Sequence, residues 1–439
     1  MLINCDLHSH SGYAGGVGQI SLDNLEVAMQ KKGIDVFGTG DCLHPEWREF
    51  LKGNLVERED GLFSKKGNDA RFMLQTEVIF TAAVGAGRKS VHTVLLFPSF
   101  DSVERTCKIL EGMGVKNTIG RPFIKCADRV DVSNKLSKIL DIDDKIEAIP
   151  AHVMTPQGVY GSSNPIDKMK HFYGSATERI SAVETGLSAD PEILSLIPEL
   201  DDFSLISNSD AHSAALNRMG REFTTVEVGS VSYGNIIDAI RKNRIARTAE
   251  FNPTEGRFFL TGHRAKKKGH GDAYCVFSPK HTPKGNKCPI CGKKLTVGVL
   301  ERALQLKDVQ GGTREFGELS PSTKDFVRMV PLVEVIAYSL GVVSVVSAKV
   351  VALYDKVVDV FGNEAQIWFE KDEVIRKKLA SAEVSEIVID NIIKVKNGDF
   401  SFSPAGFDGT YGKLVVGAKE DVFNVNIISG QGTGQKRLF

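Results

Sequence analysis

The stretch Asp6-Leu7-His8-Ser9-His10 (DLHSH, residues 6–10) follows the apolar opening MLINC and decides how the first half of the chain is read. Alternate residues of a strand face one side, so His8 and His10 would aim together, with Asp6 beside them. Two imidazoles and a carboxylate at a strand tip are the start of a metal site. Matching residues recur at the ends of later apolar runs. Asp41 follows IDVFGTG (34–40) and Glu77 follows RFMLQT (71–76). His152 follows IEAIPA (146–151), and Asp210 and His212 stand in SDAHS (209–213) after FSLISN (203–208). His92 instead opens its run, VHTVLLFP (91–98).

Outward from this series, short apolar runs alternate with helical patterns such as SLDNLEVAMQKKG (21–33), where Ser21 is a candidate cap. Repeated strand–helix units predict an α/β fold, and this many predict a barrel over residues 1–250 with its chemistry at the strand C-termini. Residues 251–300 are rich in Gly, Lys, Pro and Cys and read as a basic zinc-binding module. Residues 301–430 read as a mainly helical C-terminal domain and 431–439 as a tail. The chain has 439 residues, 42% of them hydrophobic and 25% charged, which fits a soluble globular protein. Basic and acidic residues balance at 55 each, so net charge points to no polyanion partner. The stretch VIAYSLGVVSVVSA (335–348) is shorter than the roughly 20 residues of a membrane span and is predicted as a buried helix. With seven cysteines and no leader pattern, a reducing, cytoplasmic setting without membrane contact is expected.

The barrel donors are imidazole and carboxylate without thiolate, which suits Zn²⁺, Mn²⁺ or Fe²⁺ in a hydrolytic site. Several cations can activate a water and balance charge on both oxygens of a phosphoryl displacement. No nucleophile triad is needed. DLHSH, GTGD, TEV, VHTVLLF, PAHV and SDAHS, in that order, resemble the motifs of the PHP (polymerase and histidinol phosphatase) superfamily. The resemblance implies a distorted TIM-like (β/α)7 barrel that hydrolyses phosphoesters at a trinuclear metal centre. It implies that His8, His10, Glu77 and Asp210 hold one metal and that Glu77 bridges to a second held by His92 and His152. A third would use His212 with Asp41 or His44. Many members read TDH where this chain reads GDC, with Cys42. Asp210 and His212 are candidates to move a proton, and Glu77 joins them as a catalytic residue through its bridging place. Arg88 is either a phosphate-steadying residue or an exposed loop arginine.

Downstream, the knuckle CPIC aims Cys288 and Cys291 at one structural zinc, separate from two or three barrel ions. Cys275 and His281 are the expected remaining ligands, with His270 or His263 as replacements. Arg264, Lys266, Lys267, Lys268, Lys284 and Lys287 surround this module, facing a single acid, Asp272, and are candidates for DNA backbone contact. The order of metal barrel, CPICGKKLTVGVLERA, VPLVEVIA and PAGFDGTYG is similar over the whole chain to the endonuclease Q family. That likeness implies a DNA repair endonuclease cutting double-stranded DNA 5′ to a deaminated base (uracil, hypoxanthine) or an abasic site. Phe407 stands where that family tends to have tyrosine. The alternatives are a PHP phosphatase of a small phosphate ester and a DNA-binding scaffold whose metals are structural. The tail Gln435–Phe439 resembles a truncated sliding-clamp-binding motif.

Overall fold

The computed structural model describes residues 1–15 and 20–429. In chain order its first half runs β1 (Leu2–Asp6), β2 (Val36–Gly38), a hairpin of β3 (Leu55–Glu59) and β4 (Leu62–Lys65), then the long β5 (Arg71–Val84) and β6 (Gly87–Phe97). Next come β7 (Phe123–Lys125), β8 (Glu147–Pro150), β9 (Ala182–Glu184), β10 (Ser204–Ile206), β11 (Phe223–Glu227) and β12 (Ile245–Phe251). The strands belong mainly to one 11-stranded sheet, with helices packed on it, so the molecule is a mixed α/β protein. β1, β2 and β5 pair in parallel, whereas β6 runs antiparallel to both β5 and β8. The reversal is local: Gly85, at φ 56°, supplies the positive φ of the tight turn between Val84 and Gly87.

Two further links carry the order round towards its start. Val153 N donates to Glu184 O (3.1 Å), joining the end of β8 to β9, which pairs in parallel with β10. Beyond β10, Ala211 bridges Ser9 in parallel, and His10 N donates to Ala211 O at 2.8 Å. The order β1–β2–β5–β6–β8–β9–β10 thereby returns to the segment that follows β1. The run FTTVEV (223–228) supplies β11, which departs from the parallel series and pairs antiparallel with residues 2–5 of β1. The expected strand–helix alternation is otherwise visible: the helix Leu22–Lys32 starts at Ser21, whose Oγ accepts from Asn24 N (3.2 Å), and stops at Gly33 in the left-handed region.

The second half contributes β13 (Thr261–His263), β14 (Cys275–Phe277), β15 (Asp325–Met329), β16 (Phe400–Phe402), β17 (Leu414–Val416) and β18 (Asn426–Ile428). β15 adds in parallel to β12, so a strand from beyond residue 300 extends the main sheet. β14 sits between β13 and β18, both antiparallel to it. The rest is helical, including Val299–Gln310, Leu332–Ser339, Ala348–Phe361 and Glu386–Lys396. The single buried helix expected over 335–348 is broken: it stops at Ser339, Gly341 turns left-handed at φ 62°, and Val343 and Val346 are exposed. A glycine in that conformation ends a helix whatever the hydropathy around it. Among the described residues no helix is long and apolar enough to cross a membrane.

A buried ion pair joins the two halves. Lys32 Nζ lies 2.7 Å from Glu364 Oε1, with both side chains only 1% exposed. Glu364 also accepts from Leu332 N (3.0 Å) and Tyr354 OH (2.8 Å), and Lys32 donates to Leu216 O (3.2 Å). Those extra bonds offset the cost of removing two charges from water.

Candidate metal centre

The segments after β1, β8 and β10, together with β5 and β6, deliver the donors to one mouth. His8 and His10 keep the alternation expected of them, separated by the bridging Ser9. His92 arrives there although it begins its apolar run, because β6 runs antiparallel to β5 and sets it opposite Ile79, two residues past Glu77. Two groups result: His8, His10 and Asp210, and Glu77, His92 and His152, the donor atoms in each lying within 4.8 Å of one another. His10 Nε2 is 3.1 Å from Asp210 Oδ1 and 3.7 Å from Glu77 Oε2. His8 Nε2 is 3.7 Å from Asp210 Oδ1 and 3.8 Å from Glu77 Oε1. Glu77 Oε1 is 2.6 Å from His92 Nδ1 and 3.3 Å from His152 Nε2. Glu77 therefore stands between the two groups.

The site departs from ordinary backbone geometry. Asp41, His152 and Asp210 all have positive φ, at 45°, 31° and 47°, a conformation that costs non-glycine residues on the order of 1 kcal/mol or more. Gly186, at φ 73°, is required beside His152, because a β-carbon there would collide with the histidine's own.

Burial alone would neutralise these groups, yet the carboxylates hold their charge through the imidazoles. Burial pulls the His8 pKa down, but Glu184, Asp210 and Glu77 raise it to about 9. His10 is likewise depressed by burial and lifted to about 10 by Asp210, Asp41 and Glu77. Burial pushes Glu77 and Asp210 up, and the surrounding histidines hold both well below the usual carboxylate range. A divalent cation would take the place of those protons. The chemistry fits one: His8 Nε2, Glu77 Oε2 and Asp210 Oδ1 are buried, lack hydrogen-bond partners and face the same space.

Other expected residues fall outside the inner ring. Asp41 is buried, with Oδ1 at 3.3 Å from His10 Nδ1 and Oδ2 accepting from Ser11 N (2.7 Å) and Ser11 Oγ (2.6 Å). It orients His10 and is committed on both oxygens, which corrects the expectation that it is a ligand. Asp6 turns to Ser209 and Gly220 N. Cys42 is fully buried among apolar side chains, where burial drives its thiol well above the usual range. His44 stacks on Tyr13 at 4.3 Å. Arg88 donates to Thr81 O and Cys126 O on the β5–β6 hairpin, away from the cluster. His212 is half-exposed, with Nδ1 2.9 Å from Asp210 O and its ring 4.5 Å from that of His10. It borders the cluster from the solvent side.

Glu184 was not found from the sequence. Its carboxylate lies 3.0 and 3.1 Å from His8 Nδ1, accepts from Asn208 Nδ2 (3.0 Å) and accepts from His152 N (2.8 Å). It fixes an imidazole of one group and the backbone of the other, as a carboxylate behind a metal-binding histidine does. The signal was present in VETG (183–186) as an acid closing an apolar run. The cluster opens into a cleft of about 590 Å³, lined also by Arg121, Arg218, Arg221, Arg257, Phe258 and Tyr411. None of these six was singled out in the sequence, because they come from segments distant in the chain.

In the basic module, Cys288 and Cys291 meet His263 and His270. Cys288 Sγ is 3.2 Å from His270 Nε2, and Cys291 Sγ is 3.5 Å from His263 Nδ1. Cys275 Sγ is 3.6 Å from Cys288 Sγ and flanks this group. His281 is not brought in; its Nε2 bonds Asn424 Oδ1 at 3.0 Å, which corrects its place in the expected set. His263 reaches the knuckle because β13 pairs with β14 in a register that sets it opposite Cys275. Arg264, Lys266, Lys268, Lys284 and Lys287 are exposed. Lys267 is instead held by Asp408, at 2.8 and 2.9 Å, and Lys266 pairs with Asp272. Phe407 is buried beside Tyr274, with ring centroids 5.6 Å apart, so the FDG segment clasps the module from behind. The tail Gln435–Phe439 lies outside the described residues.

No family model matches the chain. The cluster is a candidate site for divalent metal, and solved structures share the fold that carries it. The chain superposes on a lesion-specific endonuclease, endonuclease Q of Pyrococcus furiosus, with a TM-score of 0.78 and 27% identity, covering 97% of this chain and 98% of that one. An endonuclease Q complex with a 27-mer duplex bearing an abasic lesion at the active site gives 0.78 and 26%, over 97% and 99% of the chains. The chain is thus similar to endonuclease Q along almost its whole length. An uncharacterized protein of Methanocaldococcus jannaschii is 32% identical over 251 residues, 55% of this chain and only 29% of that protein's length. The uncharacterized protein YqxK of Bacillus subtilis is 26% identical over 94% of this chain and 99% of its own.

Proposed function

We propose that the protein is a metal-dependent DNA repair endonuclease that cuts double-stranded DNA on the 5′ side of a damaged nucleotide: a deaminated base such as uracil or hypoxanthine, or an abasic site. The observation that carries the reading is the set of buried, unpartnered donor atoms of His8, Glu77 and Asp210, converging at the mouth of an arginine-lined cleft. The likeness to endonuclease Q, which includes a complex with lesion-bearing duplex, supports DNA as the substrate. The strand ring is proposed to be the distorted (β/α)7 barrel of residues 1–250. The basic module of 251–300, with its own structural zinc on Cys288, Cys291, His263 and His270, and the helical region to 430 would grip the duplex.

His8, His10 and Asp210 would hold one cation, and His92 and His152 a second, with Glu77 shared between them. When bound, such cations supply positive charge for the phosphoryl oxygens and a water of lowered pKa. Glu184 and Asp41 keep His8 and His10 in the ring orientation that leaves Nε2 facing the centre. The Nδ1 of His212 is engaged by the Asp210 carbonyl, so Nε2 is the atom free to pass a proton to the leaving oxygen. Exposed Arg264, Lys266, Lys268, Lys284 and Lys287 would contact the DNA backbone and set register rather than sequence. A damaged base pairs weakly, which favours its extrusion toward the cleft by a few kcal/mol.

Incision mapping on duplexes carrying uracil, hypoxanthine, an abasic site or no lesion tests the reading. Nicks confined to the 5′ side of lesions are expected, and Asp210→Asn should abolish them while sparing DNA binding. Intact DNA alongside phosphate release from small esters would transfer the protein to the phosphatase reading.

A further inference from the structure

We propose that Arg218, Arg221, Arg257 and Tyr411 form a second phosphate-binding subsite, which seats a phosphodiester neighbouring the one that is cut. The inference rests on the functional reading above and gives it a substrate-positioning device. The side chains gather on Tyr411: Arg218 Nη1 is 3.3 Å from its OH, and the Arg218 and Arg257 guanidinium carbons lie 5.2 and 5.6 Å from its ring centre. All four line the cleft that contains His10, Asp210 and His212.

The charge balance of this corner is incomplete. The hydrogen-bond partners of the three guanidiniums are neutral: Tyr411 OH for Arg218, Ser209 O for Arg221 (3.0 Å) and Gly409 O for Arg257 (3.1 Å). Arg221 is 4% exposed and its Nη1 has no partner at all. A buried guanidinium without a counter-ion is costly, and nearby like charges add to the cost. Glu255, whose ionisation Arg221 and Arg218 would favour, is instead driven well above the carboxylate range by its burial and by Glu334. Among the described residues, no carboxylate hydrogen-bonded to the three guanidiniums supplies the missing negative charge. A bound anion does, and the planar forks and the hydroxyl match the oxygens of a phosphate.

Position distinguishes this corner from general surface attraction. Arg221 is anchored on the carbonyl of Ser209, the residue before Asp210, so the subsite is fixed to the metal centre by one peptide unit. Arg257 and Tyr411 come from chain segments beyond the first half, and Gly409 O ties them together. The subsite therefore exists only when both halves are assembled. A phosphate held there would orient the scissile linkage at the metal centre without itself reacting.

The test is a substitution cycle between protein and DNA. Duplexes carrying one abasic site and a single uncharged methylphosphonate, moved stepwise along the cut strand, are bound and incised by wild type, Arg257→Gln and Arg218→Gln. Wild type should lose about tenfold or more in binding when the neutral linkage falls at one position beside the cut. The variants should be weakened on ordinary duplex and indifferent to that one position, with the salt slope of binding reduced by roughly 0.9. Penalties that are the same for wild type and variants at every position overturn the subsite, even if incision is robust. Site-specific binding loss with no incision by wild type keeps the subsite and removes the nuclease reading. Absence of any DNA binding by wild type removes both. Circular dichroism of each variant separates misfolding from lost contact, and Tyr411→Phe, which removes only a hydroxyl, gives a second, milder version of the same cycle.

Discussion

Replacing Glu184 by glutamine keeps the side chain's shape and removes its charge. In the native site its two oxygens face three donors: His8 Nδ1 at 3.0 and 3.1 Å, Asn208 Nδ2 at 3.0 Å and His152 N at 2.8 Å. A glutamine must turn its NH₂ toward one of the last two, so at least one donor loses its acceptor and His8 loses its anionic partner. Loss of such a supporting group lowers metal affinity about 10–100-fold, or about 1.4–2.8 kcal/mol. Competition with a chelator of known affinity measures this directly. The metal-free protein gives an independent readout. His8 has its folded pKa raised to about 9 from 6.5. Its ion pairing therefore adds stability that is fully present below about pH 6.5 and lost as pH rises through 9. Thermal melts of metal-free wild type and Glu184→Gln should differ at pH 6 and converge above pH 9. Unchanged chelator competition together with a pH-independent gap between the melts would refute the positioning role.

Lys32→Met leaves Glu364 charged and buried without its ion partner, and should cost about 3–5 kcal/mol in urea unfolding; a change below 1 kcal/mol would show that water reaches Glu364. Glu250, fully buried, has its pKa raised by burial to about 7, so its stability penalty grows as pH rises from 4.5 through 7. Glu250→Gln should match wild type at pH 4 and exceed it in melting temperature at pH 8. Cys288→Ser should release one zinc equivalent in a colorimetric metal assay and weaken DNA binding, while ions bound at the His8–Asp210 cluster stay in place.

The cluster was legible because His8, His10, His152 and Asp210 follow the ends of apolar runs that become β1, β8 and β10, whereas Glu77 and His92 stand inside the long β5 and β6. His92 reaches Glu77 through the β5–β6 register, which sets it opposite Ile79. Asp41 was misassigned because a carboxylate at a strand tip looks identical whether it faces the centre or the back of His10. Only the competing donors of Ser11 decide it. The knuckle Cys288–Cys291 was local and readable; its imidazoles depended on the β13–β14 register, which spacing does not encode. The break after Ser339 was missed because hydropathy averaged over 335–348 outweighed Gly341. The arginines of the cleft were the least accessible, being joined by tertiary folding alone.

The partner strand that β14 needs on its outer edge, β18, comes from residues 426–428. During synthesis the nascent chain presents every cluster donor once residue 212 has left the ribosome, long before β18 exists, and N-terminal regions fold first. Prematurely terminated products would carry every donor of the cluster while the sheet behind the Cys288–Cys291 knuckle stays one strand short. Completion of translation thus decides when that three-stranded sheet can close.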